Sequence, residues 1–239
     1  AKTIADYLST DHTEIQVTEA EALNVIPSLS TFYSEPFADS SQIPTYLVSK
    51  MAREKVVVAL SGDGGDELFG GYNRYFWGSK IWDKINVIPF PLRKIIGEIG
   101  ILTPDSLLVA FEKILTLGLK KKSISFLNDK VKKLSSRLKY IDSHSSLYKS
   151  LTTEWNSLDS LMLRPTGLSA QPFLELHELE FLTDKENMMY WDLHSYMKDD
   201  ILTKVDRAAM SNSLETRAPF LDHRVAESAF RFPEKMLIQ

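Results

Sequence analysis

Hydrophobic residues form two strand-like patterns in the first quarter of the chain. Residues 55–60, KVVVAL, place five consecutive apolar residues between a lysine and a glycine-rich segment. A short apolar run of this kind predicts a strand buried on both faces of a parallel sheet. Residues 13–17, TEIQV, alternate polar and apolar positions and predict a second strand. Because helical segments separate the two, the pattern predicts a βαβ crossover and an α/β sheet.

Most of the remaining pattern is helical. Residues 18–21, TEAE, form a capping-box sequence that predicts a helix continuing to about Phe32. Residues 45–54 are amphipathic, and an aromatic-rich helix is predicted after Gly71. Residues 187–232 predict three further helices. The expected fold class is therefore α/β, with a small parallel sheet and a predominantly helical C-terminal part.

The middle of the chain, residues 86–171, carries weaker helical signals. Two packed helices are predicted there, broken at residues 103–105, TPD. The lysine-rich segment 120–134 predicts a solvated helical face, because a nucleic-acid surface would interleave aromatic residues or arginines with the lysines.

Composition narrows the class of protein. The 239 residues carry 28 basic and 32 acidic side chains, which argues against a dedicated nucleic-acid or membrane-surface binder. The sequence has no cysteine, so it contains neither disulfides nor a thiol nucleophile. It shows no signal-peptide pattern and no apolar stretch of about 18 residues. We therefore expect a soluble, cytoplasmic protein.

The segment after the predicted strand is the densest in candidate chemistry. Residues 61–72, SGDGGDELFGGY, contain five glycines and three acids. Glycine-rich loops at strand ends usually bind phosphate through backbone N–H groups, yet these acids would repel phosphate. One interpretation is a solvated turn in which Asp66 and Glu67 favour the start of a helix. The other is a Mg²⁺ ion held between the loop and a phosphate ligand. The sequence is neither a Walker A motif nor an EF-hand loop.

A second dense stretch, residues 199–224, combines charges with apolar helix positions. Asp200 and Lys204 are four residues apart and could form an ion pair on a surface helix. Because apolar residues share this helix, some of its charges are expected to be partly buried and to need partners or a function. Glu215, Arg217 and Asp222 are interpreted as a structural network around the turn at Pro219. The five histidines are scattered, without metal-ligand spacing.

Taken together, two segments resemble a known family. Residues 35–75 and 199–224 are similar to the synthetase domain of glutamine-hydrolysing asparagine synthetases, in the family's order and separated by residues 76–198. The first segment contains SGDGGDELFGGY, and the second contains DDILTKVDRAAMSNSLETRAPFLDHR. A single glycine-rich loop would be weak evidence, whereas both blocks together are specific. We expect the resemblance to extend over the whole chain.

The resemblance implies a fold and a reaction. The family's synthetase domain has an adenine nucleotide alpha-hydrolase-like fold. It uses ATP and Mg²⁺ to convert aspartate into a β-aspartyl-AMP intermediate, with release of pyrophosphate. Ammonia, produced from glutamine by an N-terminal glutaminase domain, then displaces AMP and gives asparagine.

The resemblance also implies roles for individual residues. Ser61 and Gly62 match the family's nucleotide-contacting pair, and Asp66 matches its Mg²⁺-coordinating acid. Asp63 matches the acid that lines the aspartate and adenylate site. Asp200, or its neighbour Asp199, matches a second acid expected to face that site. Asp63 and Asp200 are therefore the catalytic candidates.

Three parts of the family pattern are not found in residues 1–239: the glutaminase domain, the pyrophosphate loop and a C-terminal lysine segment. We therefore expect an internal piece of a synthetase (ATP-pyrophosphatase) domain that is inactive alone, with possible homodimer formation through an open strand edge. Two alternatives are a sibling amidotransferase that amidates another carboxylate, such as a sugar acid or a peptide side chain, and a non-catalytic docking or structural domain. A simple nucleotide-binding regulator is a weaker possibility.

Overall fold

A computed structural model describes residues 2–107, 127–153 and 177–237 of the chain. The chain divides into two compact units. The first consists of Ala1–Phe69 and Asp192–Pro233, and the second of Gly70–Trp191 and Glu234–Gln239. None of the described helices is long and apolar enough to cross a membrane.

The first unit combines helices with a two-stranded parallel sheet. Its elements are α1 (Lys2–Leu8), α2 (Glu19–Phe32), α3 (Gln42–Arg53), β1 (Val58–Leu60), α4 (Gly65–Phe69), a π-helical turn (Met197–Ile201), α10 (Leu202–Met210), β2 (Glu215–Arg217), a 3₁₀ turn (Pro219–Leu221) and α11 (His223–Ala229). The two strands pair in parallel, with Val58 opposite Glu215 and Leu60 opposite Arg217. This pairing confirms the predicted parallel sheet in a mostly helical α/β protein.

Every secondary-structure element described in the second unit is a helix. Its elements are α5 (Asn73–Asn86), α6 (Phe90–Leu102), α7 (Leu127–Leu138), α8 (His144–Thr152), α9 (Asp184–His194, whose last three residues belong to the first unit) and α12 (Glu234–Leu237). Its core is an aromatic and methionine cluster made of Tyr75, Tyr148, Met188, Met189 and Trp191. Residues 108–119 of the predicted helix after residues 103–105 lie outside the described residues, as do residues 120–126 of the segment 120–134, whose residues 127–134 are part of α7.

Helix α2 shows how local sequence sets an element boundary. The Thr18 hydroxyl accepts a hydrogen bond from the Glu21 N–H at 3.3 Å, and the Glu21 carboxylate accepts one from the Thr18 N–H at 2.8 Å. These two bonds satisfy N–H groups that the first helical turn leaves without partners. The predicted capping box and the helix end at Phe32 are both confirmed.

Two further helix predictions need only small changes. The helix predicted over 45–54 begins three residues earlier, at Gln42, and ends at Arg53. Pro44 therefore lies in the first turn, where the missing N–H of proline costs no helical hydrogen bond. The aromatic-rich helix after Gly71 is confirmed as Asn73–Asn86.

The strand predicted over residues 13–17 is wrong, because this segment has no regular structure. Its two apolar side chains, Ile15 and Val17, are exposed, so the alternation buries nothing. The partner of β1 is instead β2, whose three residues are too few to show a period of two. The expected crossover between strands 13–17 and 55–60 is therefore also absent.

The buried strand predicted over residues 55–60 is only partly correct. Three of these residues, Val58–Leu60, form β1, and the strand is parallel as expected. The expected burial is wrong, since Val57 is 61% exposed and Leu60 is 74% exposed. An apolar run indicates only that its side chains favour burial, and other elements must pack on them to bury them. Within the described residues β1 has one strand neighbour.

Close helix packing in the second unit depends on glycine. Helix α6 approaches α7 at Gly97 and Gly100, both of which face Ser135. A Cβ atom built on Gly97 would lie 2.7 Å from the Ser135 carbonyl oxygen, which belongs to the backbone. A side chain at this position would therefore force the two helices apart.

We predict that Gly97→Ala lowers the free energy of unfolding by about 1–3 kcal/mol, the usual cost of overpacking. In a solvent-exposed helix, Gly→Ala would raise the free energy of unfolding by about 1 kcal/mol. A decrease therefore indicates the steric clash. Gly78→Ala is the matched control, because a Cβ there meets the flexible Met188 side-chain end at 2.5 Å. Urea unfolding should show a smaller loss for the control. A stabilised Gly97→Ala protein would contradict the packing described.

A buried histidine gives the second unit a pH-dependent stability. His144 is 3% exposed, and its two ring nitrogens have no hydrogen-bond partner among the residues described. Burial lowers the pKa of His144, although nearby Asp184, Glu178 and Asp83 oppose that effect. The folded protein therefore disfavours protonation of this ring, whereas the unfolded chain accepts a proton near the ordinary pKa of about 6.5.

We predict that this contribution to stability is complete above pH 6.5 and is lost progressively as the pH falls below it. His144→Phe retains an aromatic ring beside Trp191 and removes the titrating group. Urea unfolding at pH 7.5 and 5.5 should therefore show a smaller acid-induced loss of stability in His144→Phe than in the wild type. The exposed His12→Phe serves as the control and should behave as the wild type. Equal losses in all three proteins would contradict the prediction.

Candidate functional site

The glycine-rich loop begins where β1 ends. The Ser61 N–H donates to the Arg217 carbonyl at 2.9 Å, which extends the pairing of β1 with β2 by one residue. The Ser61 hydroxyl oxygen is buried and has no hydrogen-bond partner within the described part of the chain. Since buried polar groups are normally satisfied, this hydroxyl is suited to bond a ligand at the strand end.

Two glycines shape the loop against the second sequence block. Gly64 has a φ of +88°, a conformation that disfavours any side chain. A Cβ on Gly64 would lie 3.1 Å from the Leu221 side chain, and one on Gly65 would lie 3.2 Å from the Phe220 ring. At Gly62 a Cβ would meet nothing within 4 Å, so the backbone there borders open space that a ligand could enter.

The acids of the loop have different environments. Asp63 is half-buried in the loop, Asp66 is exposed in the first turn of α4, and Glu67 is buried. Neither the Asp63 nor the Asp66 carboxylate has a hydrogen bond or ion pair with the residues described. Both therefore remain available to a cation or a substrate. The position of Asp66 is also compatible with the alternative interpretation as a first-turn helix acid.

The described residues do not form a complete metal site by themselves. In the described ranges, no three His, Asp or Glu side chains are grouped closely enough to hold a metal ion. Magnesium, however, is commonly held by one or two carboxylates together with substrate phosphates. Hard carboxylate oxygens at Asp63 and Asp66, beside an open backbone at Gly62, fit a site of that shared kind.

Asp200 lies on a different element, the π-helical turn. This turn joins α9 to α10 through a wider hydrogen-bond pattern in which the Leu202 N–H bonds the Met197 carbonyl. Such insertions occur frequently at functional sites because they re-aim side chains. The Asp199 side chain is 65% exposed and its carboxylate lies 3.4 Å from the Lys198 ammonium, whereas Asp200 is half-buried.

The structure therefore distinguishes the two neighbouring acids that the sequence left open. Burial of the phenol, and to a smaller extent the charges of Asp39 and Asp200, raise the pKa of Tyr33 to about 12. Asp200 thus lies within electrostatic range of a buried tyrosine, while Asp199 projects into solvent. Of the two, Asp200 is the acid directed into the protein.

An ion pair that the sequence analysis missed lies close to Tyr33. The Lys204 ammonium donates to the Asp39 carboxylate at 2.9 Å and to the Ser41 hydroxyl at 2.8 Å. Lys204 therefore bonds Asp39 and Ser41, and not Asp200, which was the partner expected from helical spacing. The apolar helix around Lys204 indicated that this lysine is buried and requires a partner. The sequence could not identify that partner, because Asp39 lies 165 residues away.

The network expected around Pro219 forms as two separate pairs. Arg217 donates to Glu215 at 2.7 Å. Asp222 instead accepts two bonds from the Arg224 side chain, at 2.9 and 2.6 Å, and caps α11 by accepting one from the Arg224 N–H. The hydrogen bonds from Arg224 hold the pKa of Asp222 well below its usual range. The three-residue interpretation is therefore wrong, because a nearer cation engages Asp222.

All five candidate residues belong to the first unit. Ser61, Gly62 and Asp63 lie in the loop after β1, and Asp66 lies in the first turn of α4, which follows that loop. Gly64 and Gly65, between Asp63 and Asp66, pack on the segment after β2. Asp200 is carried separately by the π-helical turn. The roles assigned to these residues remain predictions.

Comparison with known proteins identifies the family. The family profile described as Asparagine synthase matches residues 1–239. Asparagine synthetase [glutamine-hydrolyzing] 1 of Bacillus subtilis is 31% identical over 242 residues, covering 99% of this chain and 34% of that protein. A putative asparagine synthetase [glutamine-hydrolyzing] of Mycobacterium tuberculosis is 28% identical over 96% of this chain and 32% of that protein.

A third relative is more similar over a shorter region. Putative asparagine synthetase [glutamine-hydrolyzing] 2 of Methanocaldococcus jannaschii is 46% identical over 92 residues, which is 38% of this chain and 18% of that protein. No solved structure is significantly similar to the chain. The chain spans about a third of the length of the two relatives matched along nearly all of it. Since the profile match covers every residue, the chain belongs to the asparagine synthase family.

Proposed function

We propose that this chain forms part of an ATP-dependent ligase site that converts aspartate to asparagine through β-aspartyl-AMP. The observation that carries the proposal is the segment after β1, in which a buried, unsatisfied Ser61 hydroxyl is followed by an open backbone at Gly62 and by Asp63 and Asp66, whose carboxylates have no partner among the described residues. Family membership supports the same reaction class, because the relatives are named asparagine synthetases. The proposed fold of the complete domain is adenine nucleotide alpha-hydrolase-like.

Nucleotide binding is assigned to Ser61 and Gly62. The Ser61 hydroxyl can donate a hydrogen bond to a nucleotide oxygen at the carboxyl end of β1, where ligands of parallel sheets commonly bind. Gly62 lacks a side chain and faces open space, so a nucleotide can approach its backbone closely. Both assignments require the sheet pairing that holds Ser61 beside Arg217.

Magnesium binding is assigned to Asp66. When bound, Mg²⁺ would neutralise negative charge that develops on the α-phosphate and on the departing pyrophosphate. Asp66 would contribute one carboxylate oxygen to it, and its exposed side chain leaves room for substrate phosphates to supply further ligands. Gly64 and Gly65 hold the preceding turn against Phe220 and Leu221, which orients the first turn of α4.

The proposed chemistry consists of a nucleotidyl transfer followed by an acyl transfer. A substrate carboxylate oxygen attacks the α-phosphorus, the bond from that phosphorus to the bridging oxygen breaks, and pyrophosphate leaves. Ammonia then attacks the acyl carbon, and the bond from that carbon to the AMP oxygen breaks. The attacking nitrogen must lose a proton, and Asp63 and Asp200 are the carboxylates proposed to receive it and to orient the substrate.

The ammonia source is proposed to be glutamine, because the relatives are named as glutamine-hydrolyzing synthetases. Since this chain has no cysteine, a thiol that releases ammonia from glutamine would have to come from outside residues 1–239. Aspartate, ATP and glutamine are therefore the substrates to test with the full-length protein that carries this sequence.

We predict that the full-length protein releases pyrophosphate in an aspartate-dependent reaction with MgATP and ammonia. Asp66→Asn should lower kcat/KM for MgATP by about 10²-fold or more, because it removes an anionic metal ligand. Glu19→Gln is the matched control, since Glu19 is also an acid in the first turn of a helix. Equal activity of Asp66→Asn and wild type would overturn the metal assignment. Release that does not require aspartate would overturn the proposed substrate.

We further predict that Asp200 and Asp199 differ sharply in importance. Asp200→Asn should lower kcat by about 10²-fold or more, as expected when a general base is removed. Asp199→Asn should remain within about twofold of the wild type, because the Asp199 carboxylate is exposed and its partner among the described residues is the neighbouring surface Lys198. Steady-state pyrophosphate release measures both variants. The opposite ranking would show that Asp199 is the functional acid.

A further inference from the structure

A buried cation lies next to the turn that carries Asp200. Lys204 is 8% exposed and lies on α10, whose buried face also contains Ala208 and Ala209. Burying a lysine is costly unless its ammonium group is hydrogen-bonded and paired. The cost is met here by two bonds to the loop between α2 and α3, one to Asp39 at 2.9 Å and one to Ser41 at 2.8 Å.

The anionic side of this pair is tightly organised. The Asp39 carboxylate also accepts hydrogen bonds from the Ser41 N–H at 2.8 Å and the Ser41 hydroxyl at 2.7 Å. Burial opposes ionisation, but the bonds from Lys204 and Ser41 lower the pKa of Asp39 to about 2. The carboxylate is therefore ionised throughout the neutral pH range, and the pair acts as a permanent connection.

A second connection reaches the same residue through its backbone. The Tyr33 hydroxyl donates to the Lys204 carbonyl at 3.4 Å, and the Tyr33 ring stacks on Phe37 with centroids 4.8 Å apart. Because the pKa of Tyr33 is raised to about 12, the phenol keeps its proton and remains a donor at neutral pH. The end of α2 and the loop after it thus hold the first turn of α10 by both the side chain and the backbone of Lys204.

The residues held in this way directly follow the π-helical turn. A π turn contains one residue more than the α-helical turn it replaces, and it is less favourable unless tertiary contacts retain it. If the π turn relaxed to α-helical geometry, the residues before it would shift by one position along the helix. A shift of one position corresponds to a rotation of about 100°. Such a rotation would move Asp200 away from Tyr33 and bring a neighbouring residue into its place.

We propose that Lys204 and Asp39 are positioning residues that maintain the π-helical turn and thereby the orientation of Asp200. The structural part of the proposal concerns the turn itself, and its catalytic consequence rests on the proposed function. Lys204 contacts no substrate in this scheme and acts through the carboxylate that it holds in place. Asp39 serves the same role from the opposite side of the ion pair.

Hydrogen–deuterium exchange of the full-length protein tests the structural part. Lys204→Met and the nearly isosteric Asp39→Asn should each accelerate exchange of residues 197–203 by about tenfold or more, while exchange of β1 is unchanged. Lys185→Met is the matched control, because Lys185 also pairs with a carboxylate, Glu234, at 2.6 Å in a partly buried site. It should leave residues 197–203 unaffected. Unchanged exchange in Asp39→Asn would overturn the proposal, even if Lys204→Met does not fold.

Kinetics of the same variants test the consequence for Asp200. Misplacement of a reacting group lowers the rate of the chemical step, so kcat should fall by about tenfold or more while KM for ATP stays within about threefold. Lys204→Arg, which retains the cation, should recover most of the lost kcat, and Lys185→Met should match the wild type. The double variant Asp39→Asn/Lys204→Met should have the same kcat as Lys204→Met, because the two single changes remove the same interaction.

The outcomes separate this inference from the proposed function. If the wild-type protein shows no aspartate-dependent pyrophosphate release, the proposed function fails and exchange alone decides whether the pair holds the turn. If exchange accelerates while kcat is unchanged, the positioning role is overturned. A parallel loss of kcat, ATP affinity and protection of β1 would instead indicate general destabilisation, and would also overturn it.

Discussion

The candidate site depends on one short backbone pairing between distant parts of the chain. The Glu215 N–H bonds the Val57 carbonyl at 3.0 Å, and the Ser61 N–H bonds the Arg217 carbonyl at 2.9 Å. These bonds align β1 with β2, so that the loop after one strand meets the turn after the other. Phe220 and Leu221 then occupy the space that side chains at Gly64 and Gly65 would fill. Without this pairing, neither the loop conformation nor the position of Ser61 would be specified.

Charge is organised on a second set of contacts in the same unit. Lys204 is buried because Asp39 and Ser41 satisfy its ammonium group, and the same loop presents Tyr33 to the backbone of α10. The π-helical turn therefore lies beside a fixed cation–anion pair and a tyrosine that stays protonated. An acid carried by such a turn has a defined orientation, whereas Asp199, one residue earlier, is left in solvent.

Much of the local structure could be predicted from the sequence. The capping box at Thr18, the helix ending at Phe32 and the aromatic-rich helix of the second unit all follow from short-range patterns. The glycine-rich loop was also correctly placed after a parallel strand. Predictions that required a partner were less successful. Residues 13–17 alternate like a strand but pair with no strand in the described part of the chain, and the apolar run at 55–60 is largely exposed.

By itself, the sequence determined the boundaries of α2, the family and the candidate residues after β1, because caps, periodicity and motifs act over a few neighbouring positions. Only the tertiary structure decided that β2 is the partner of β1, that Asp39 is the partner of Lys204, and that Asp200 rather than Asp199 points inward. Each of these depends on contacts across more than 150 residues or on one inserted residue in a helix. Hydrogen bonds and ion pairs form between groups that the fold brings together, and the spacing of residues along the sequence does not identify those partners.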